Sequence, residues 1–250
     1  MRVKLYLILI VAICFTACKS DKKAESKKAI GLKITPIEHA SFVIQYNDLT
    51  IYIDPTGGKE AYDAFPKADY VLITDIHGDH MNLKTLEALD LSTTKIISPE
   101  AVYEALPKVL TKNTIPLVNG VKEDFKTFTL ETVPMYNLRE DALKFHPKGR
   151  GNGYVISIAK ERIYISGDTE DIIEMRNLQN ITKAFVCMNL PYTMTVESAA
   201  NAVLEFKPKQ VYPYHYRGTN GLSDVNKFKS IVNAGNSNIE VTQLNWYSNK

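Results

Sequence analysis

Cysteine is scarce, with three copies in 250 residues. Cys14 and Cys18 stand in an apolar N-terminal stretch and Cys187 stands alone in another apolar run. No intrachain disulfide framework is available, and Cys187 reads as a core residue. Positive charge is also thin where a nucleic-acid surface would need it. The chain is +2 overall, and residues 1–30 hold seven Lys and Arg against two Asp and Glu, a net of +5, which leaves −3 for residues 31–250. That balance advertises no basic face for nucleic acid. Long apolar runs are missing too: Leu5 to Phe15 is too short to span a bilayer comfortably, and behind Arg2 and Lys4 it has the layout of a signal-peptide core.

Thr16-Ala17-Cys18 places small residues before a cysteine, as in a bacterial lipobox, although Phe15 is bulkier than the usual residue at its position. Residues 1–18 are therefore expected to be a lipoprotein signal peptide with Cys18 as the lipidated first residue of the mature chain, the alternative being an ordinary signal peptide cut nearby. A lipid on Cys18 would anchor the protein to a membrane of the bacterial cell envelope without a spanning helix. Residues 19–30, rich in Lys, Ser, Glu and Asp with no apolar period, read as a flexible tether. The remainder, 31–250, suits one sizeable domain or two fused halves.

Within it the strand pattern repeats. Leu32–Ile37, Ser41–Tyr46 and Thr50–Ile53 read as strands closed by Asp54-Pro55, with Asn47-Asp48 as a hairpin turn; Tyr70–Thr74, a helix over Asn82–Leu89, a strand at Lys95–Ser98 and a helix begun by Pro99 follow. From Gly153 to Asp168 the hairpin rhythm returns, down to an Ile-Tyr-Ile ahead of each aspartate. Ala184–Met188, a helix capped by Thr195 and running to Phe206, Gln210–Tyr214, a helix over Val225–Val232 and a strand at Ile239–Leu244 complete the second copy. Two such halves predict an α/β chain folded as a four-layered αβ/βα sandwich with internal duplication. Ligands in such sheets gather at strand ends, where these aspartates and histidines fall.

The densest chemistry lies in residues 71–80, Val-Leu-Ile-Thr-Asp-Ile-His-Gly-Asp-His. A buried strand runs straight into Asp75, His77, Asp79 and His80. If extended geometry persists, the first three project to one side, and Gly78 gives the chain freedom to bring His80 round. Four such groups in six residues point to a metal site. The chain's five histidines, His39, His77, His80, His146 and His215, all stand in polar punctuation beside strands rather than on apolar helix faces.

This stretch resembles the H-x-H-x-D-H signature of the metallo-β-lactamase-fold hydrolases, with Asp75 where the first histidine usually stands. The resemblance runs from about residue 32 to the C-terminus and implies the metallo-β-lactamase fold. It implies that Asp168, in Ser166-Gly167-Asp168-Thr169, bridges two metals, and that His215, in Tyr212-Pro213-Tyr214-His215-Tyr216, is a further ligand. The histidine usual between these motifs is replaced by Val133-Pro134-Met135-Tyr136-Asn137 followed by Phe145-His146-Pro147-Lys148-Gly149. That pairing looks like the branch of ascorbate-6-phosphate lactonase and N-acyl-phosphatidylethanolamine phospholipase D. Either Asn137 or His146 would complete the first metal's ligands. His39 resembles a histidine that borders the site in this branch, or is a turn residue; Asp54 supports a ligand from behind, or simply closes its strand.

The implied assignment puts Asp79, His80 and His215 on one metal and Asp75 and His77, with Asn137 or His146, on the other. Asp75, Asp79 and Asp168 give −3, and a hydroxide held by Asp79 and Asp168 gives −4, which two divalent cations neutralise. The carboxylate at position 75 hardens its site, so Mn, Fe and Mg stand beside Zn, with Zn and Mn foremost. The expected chemistry is attack of the metal-activated water on a small-molecule ester, lactone or phosphodiester. Tyr136, Tyr192, Tyr214, Tyr216 and Arg217 are candidates to line the pocket, Arg217 for an anionic group. With fourteen tyrosines in the chain, ordinary packing is the competing reading for each. Two other functions remain open: a lipid-anchored binding protein whose altered motif has ended catalysis, and a nuclease of the same fold, which the negative domain disfavours.

Overall fold

Side-chain alternation decides what each strand of the first sheet buries on either face. The computed structural model describes residues 31–247; the expected leader with Cys18 and the tether fall outside them. β1 (Lys33–Glu38), β2 (Ser41–Tyr46) and β3 (Leu49–Ile53) form an antiparallel meander, to which β4 (Tyr70–Leu72), β5 (Lys95–Ser98) and β6 (Thr114–Pro116) add in parallel. Phe42 and Ile44 of β2 and Ile51 and Ile53 of β3 enter the core between the sheets, while Val43 and Tyr52 turn to a second cluster. That cluster includes Leu86 of helix α1 (Leu83–Ala88), which starts at Asn82 because its side chain accepts from Thr85 N–H, and Val102 of α2 (Glu100–Ala105). Helix α3 (Lys108–Thr111) follows.

The second sheet is built alike from β7 (Lys122–Asp124), β8 (Thr129–Met135), β9 (Gly151–Ile158), β10 (Glu161–Ile165), β11 (Lys183–Val186), β12 (Gln210–Pro213) and, after the small hairpin of β13 (Arg217–Gly218) and β14 (Gly221–Leu222), β15 (Glu240–Val241). Each sheet holds an antiparallel meander followed by parallel strands: β1-β2-β3 then β4, β5 and β6; β8-β9-β10 then β11, β12 and β15, with β7 added antiparallel on the outer edge of β8. The expected duplication is therefore a match over six strands of each sheet, β7 being additional. Phe42 and Phe185 stack across the interface with ring centroids 4.3 Å apart, and Trp246 and Tyr214 pack edge-on against them. Truncating a side chain such as Phe42 there would cost about 3–5 kcal/mol. Helices α4 (Ile173–Arg176), α5 (Val196–Phe206), capped by Thr195, and α6 (Val225–Gly235), capped by Asp224, complete the described helices.

Three expectations need correction. The last strand is two residues long where Ile239–Leu244 was expected. β7 and β8 have no counterpart in the sequence reading, because Pro134 argues against a central strand. Pro134 is tolerated because β7 pairs with β8 only over Thr129–Glu131, leaving the proline's edge unpaired on that side. Finally, extended geometry does not persist through Asp79: β4 stops at Leu72, and the chain turns with His80 N–H and Met81 N–H both donating to His77 O. Gly78 is not among the residues with positive φ, so the turn does not depend on a left-handed glycine.

Candidate metal centre

Equivalent ends of the two sheets supply the polar cluster. His39 lies in the β1–β2 connection and His146 in the β8–β9 connection; Asp54 follows β3 and Asp168 follows β10; Asp75 and His77 follow β4, and His215 follows β12. All five histidines converge here. His39 and His215 have ring centroids 3.9 Å apart, His80 and His215 4.9 Å, and His77 and His146 5.2 Å. His39, Asp54 and His215 have φ of 54°, 42° and 44°, left-handed conformations that cost non-glycine residues of order 1–3 kcal/mol each and that aim side chains where an extended chain would not.

Asp75, His77 and His146 form one group able to hold a cation. His77 Nδ1 is 2.6 Å and His146 Nε2 3.9 Å from Asp75 Oδ2. His146 Nδ1 lies 3.1 Å from Tyr192 O, so a proton there leaves Nε2 with its lone pair toward the site, where that buried atom has no hydrogen-bond partner. Asn137 does different work: its amide donates to Ala142 O and Tyr192 O and lies 3.2 Å from His146 Nδ1, so it holds the loop that presents His146. Of the two alternatives, His146 has its Nε2 within 3.9 Å of Asp75 Oδ2 and 3.3 Å of Asp168 Oδ2, while Asn137 Oδ1 is also buried without a hydrogen-bond partner.

His80, Asp168 and His215 form a second group, and His39, Asp79 and His215 a third that shares His215. His80 Nε2 is 3.1 Å from His215 Nε2 and 3.4 Å from Asp168 Oδ2. Asp79 Oδ2 is 3.4 Å from His215 Nε2 and 3.3 Å from His39 Nε2. Asp168 spans both sides: Oδ2 is 3.3 Å from His146 Nε2, while Oδ1, buried and unpaired, is 3.4 Å from His215 Nε2. Behind His80, Asp54 accepts from His80 Nδ1 at 2.9 Å and from Thr74 N–H and O–H at 2.7 Å. That fixes the ring with Nδ1 on Asp54 and Nε2 turned toward the site.

The local field demands positive charge. Burial alone would push Asp168 up, but the adjacent His215, His80 and His146 imidazoles hold it well below the usual carboxylate range. Burial likewise opposes a proton on His80, yet Asp168, Asp54 and Asp79 together raise it well above an ordinary imidazole. Asp79 is held low by His80, His215 and His39 against its own burial. The proton on His80 stands where a cation would, and the inward-facing His146 Nε2 and Asp168 Oδ1, buried without hydrogen-bond partners, are donors a divalent cation takes.

Two cavities meet at Asp79. One, about 310 Å³, is bounded by His77, Asp79, His146 and Asp168, with Phe145 and Tyr192 as walls. The other, about 340 Å³, lies beyond His39 and contains Thr56, Tyr247 and Arg217, whose guanidinium sits 4.1 Å from the Tyr247 ring centroid. Tyr192 and Arg217 thus line cavities. Tyr136 does not: its hydroxyl donates to Glu174 beneath Lys148. Tyr214 is fully buried and accepts from Gly167 N–H, bracing the Asp168 turn, and Tyr216 packs on Tyr247. The sequence reading assigned no role to Thr74, Arg150 or Tyr247. Arg150 forks onto Asp75, and Tyr247 Oη lies 2.8 Å from His39 Nδ1; each partnership joins residues far apart in the chain, with no local signal.

Residues 33–215 match the family described as beta-lactamase superfamily domain. A UPF0173 metal-dependent hydrolase of Pyrococcus horikoshii is 30% identical over 215 residues, covering 80% of this chain and 92% of that protein. Another, of Archaeoglobus fulgidus, is 27% identical over 228 residues, covering 85% and 96%. Among solved structures, a Parabacteroides distasonis chain assigned to the metal-dependent hydrolases is 39% identical with a TM-score of 0.76, covering 85% of this chain and 92% of that one. Igni18, a metallo hydrolase of Ignicoccus hospitalis, is 25% identical with a TM-score of 0.71 over 85% and 94%. Sheets, ligand groups and relatives agree, and the chain belongs to the beta-lactamase superfamily, as a metal-dependent hydrolase of the metallo-β-lactamase fold.

Proposed function

We propose that the protein cleaves an ester, lactone or phosphodiester of a small molecule, using two divalent cations, Zn or Mn before Fe or Mg. The observation that carries this is Asp168, whose carboxylate lies between the two groups: Oδ2 is 3.3 Å from His146 Nε2 and 3.4 Å from His80 Nε2, and Oδ1 is 3.4 Å from His215 Nε2. Asp79, His80 and His215 would hold one cation, and Asp75, His77 and His146 the other, with Asp168 between them. Bound there, such cations supply acidification of a water and polarisation of the scissile group. The protein's own part is geometric. Asp54 and Tyr192 O engage Nδ1 of His80 and His146 and so aim each Nε2 at the site, Asp79 and Asp168 orient the attacking water, and Phe145 and Tyr192 form a wall that limits bulk water. Arg217, across Asp79 in the second cavity, suits an anionic arm of the substrate.

The test is to strip the protein with chelator, refill it with Zn, Mn, Fe or Mg, and follow an aryl ester, a lactone and an aryl phosphodiester. Turnover that returns with cation, with a raised KM for anionic substrates in Arg217→Ala, is the expected result. Tight cation binding without turnover of any of the three would favour a binding protein instead. The envelope location rests on residues 1–18, and Cys18→Ser should then move the protein from the membrane fraction to the soluble one.

A further inference from the structure

Asp75 stands where the metallo-β-lactamase signature usually has its first histidine, and it is paired with an arginine. Arg150 Nε donates to Asp75 Oδ1 at 3.2 Å and a terminal N–H of the same guanidinium donates to Oδ2 at 3.1 Å, a two-pronged pair. The Asp75 carboxylate is wholly buried and the Arg150 side chain 18% exposed. The guanidinium also donates to Phe145 O, so the segment that carries His146 carries the clamp as well. Division of labour between the two oxygens follows. Oδ1 accepts from Arg150 Nε, whereas Oδ2 accepts the other Arg150 N–H and in addition faces His77 Nδ1 and His146 Nε2.

An imidazole offers a cation one lone pair and no charge. A lone carboxylate offers a lone pair and a full negative charge, which at these separations changes the field on both cation positions substantially. Arg150 cancels that charge while leaving Oδ2 turned inward. We infer that Asp75 and Arg150 act together as the equivalent of one neutral histidine, the carboxylate ligating and the guanidinium setting how strongly, and with what preference for hard ions, this position takes a cation. Arg150 is thus a positioning residue for the Asp75, His77 and His146 group. The inference rests on the two-cation reading above, and it revises the charge count made from sequence, since Arg150 offsets one of the three aspartates.

It makes a counterintuitive demand. Restoring the family histidine alone should damage the site, because Asp75→His leaves a largely buried guanidinium beside a cation with no carboxylate between them. The experiment compares full-length wild type, Asp75→His, Arg150→Gln and the double variant. Zn and Mn bound per chain are measured by equilibrium dialysis and elemental analysis, and melting of each chelated protein is followed. Asp75→His should bind the second equivalent at least about tenfold more weakly than wild type, and the double variant should recover to within about threefold while preferring Zn over Mn. Arg150→Gln should keep the site and tighten Mn. Non-additive melting of the chelated variants would support the Asp75–Arg150 pair independently of any cation. The inference is overturned if wild type binds two equivalents and Asp75→His does as well as wild type, or the double variant does no better than Asp75→His. A wild type that binds only one equivalent overturns the two-cation reading, and Arg150's role with it.

Discussion

Asp54 and Asp168 follow equivalent strands of the two halves and reach opposite nitrogens of one imidazole: Asp54 Oδ2 is 2.9 Å from His80 Nδ1, and Asp168 Oδ2 is 3.4 Å from His80 Nε2. The duplicated fold has used one copy of the aspartate to orient and the other to face the site. Asp54→Ala should therefore weaken cation binding by about 10–100-fold without contributing a ligand itself. It also strands Thr74 N–H in the core, at a cost of about 1–3 kcal/mol. Metal titration alongside thermal melts separates the two effects, and unchanged affinity would remove Asp54 from the centre.

His80→Ala and Asp168→Ala take out groups at the junction of the proposed positions. Each should reduce turnover to the detection limit, with far-ultraviolet circular dichroism that of wild type. Full turnover in either would mean the reaction occurs elsewhere.

Much of this was legible before any coordinates. Val71–Leu72 followed by Asp75, His77, Asp79 and His80 carries strand and ligands in one short window, and the Ile-Tyr-Ile repeat before Asp54 and before Asp168 betrays the duplication. What stayed hidden depends on long-range closure. Arg150 meets Asp75 and Tyr247 meets His39 only once both sheets have packed. How Asn137 and His146 divide the work also depends on packing: backbone carbonyls take the Asn137 amide N–H groups and face His146 Nδ1, which residue types cannot reveal. The partners of Tyr136 and Tyr214 were hidden for a similar reason, since Glu174 and Gly167 engage their hydroxyls only in the folded chain.

Protons and cations compete at His80, and the sign of that competition is fixed. Its pKa in the metal-free protein is raised well above 6.5 although burial opposes this, because Asp168, Asp54 and Asp79 outweigh it. The stabilisation from the proton is fully present below the unfolded imidazole's range and is lost as pH rises through the folded value. A bound cation needs that nitrogen unprotonated and gains as pH rises. The difference in Tm between cation-loaded and chelated protein should widen from pH 6 toward pH 8; a constant or narrowing gap would mean the cation does not displace this proton.

The turn that delivers Asp168 tests how tightly the centre is held. Gly167 has φ of 61°, and a Cβ there would lie 2.5 Å from Met135 Sδ and 3.2 Å from Thr74 Cβ. Met135 Sδ in turn accepts from Asp168 N–H at 3.0 Å. Gly167→Ala thus combines a left-handed backbone with a steric conflict, and should destabilise by about 2–4 kcal/mol while displacing Asp168. Adding Met135→Ala removes the sulfur but not the backbone strain. If the conflict with Met135 dominates, the double variant should regain cation affinity without regaining all of its stability, because the shortened side chain leaves a cavity. If backbone strain dominates, neither returns. Melts and metal titrations of the two variants distinguish these outcomes, and a Gly167→Ala protein matching wild type in both would show that the Asp168 turn is not constrained as described.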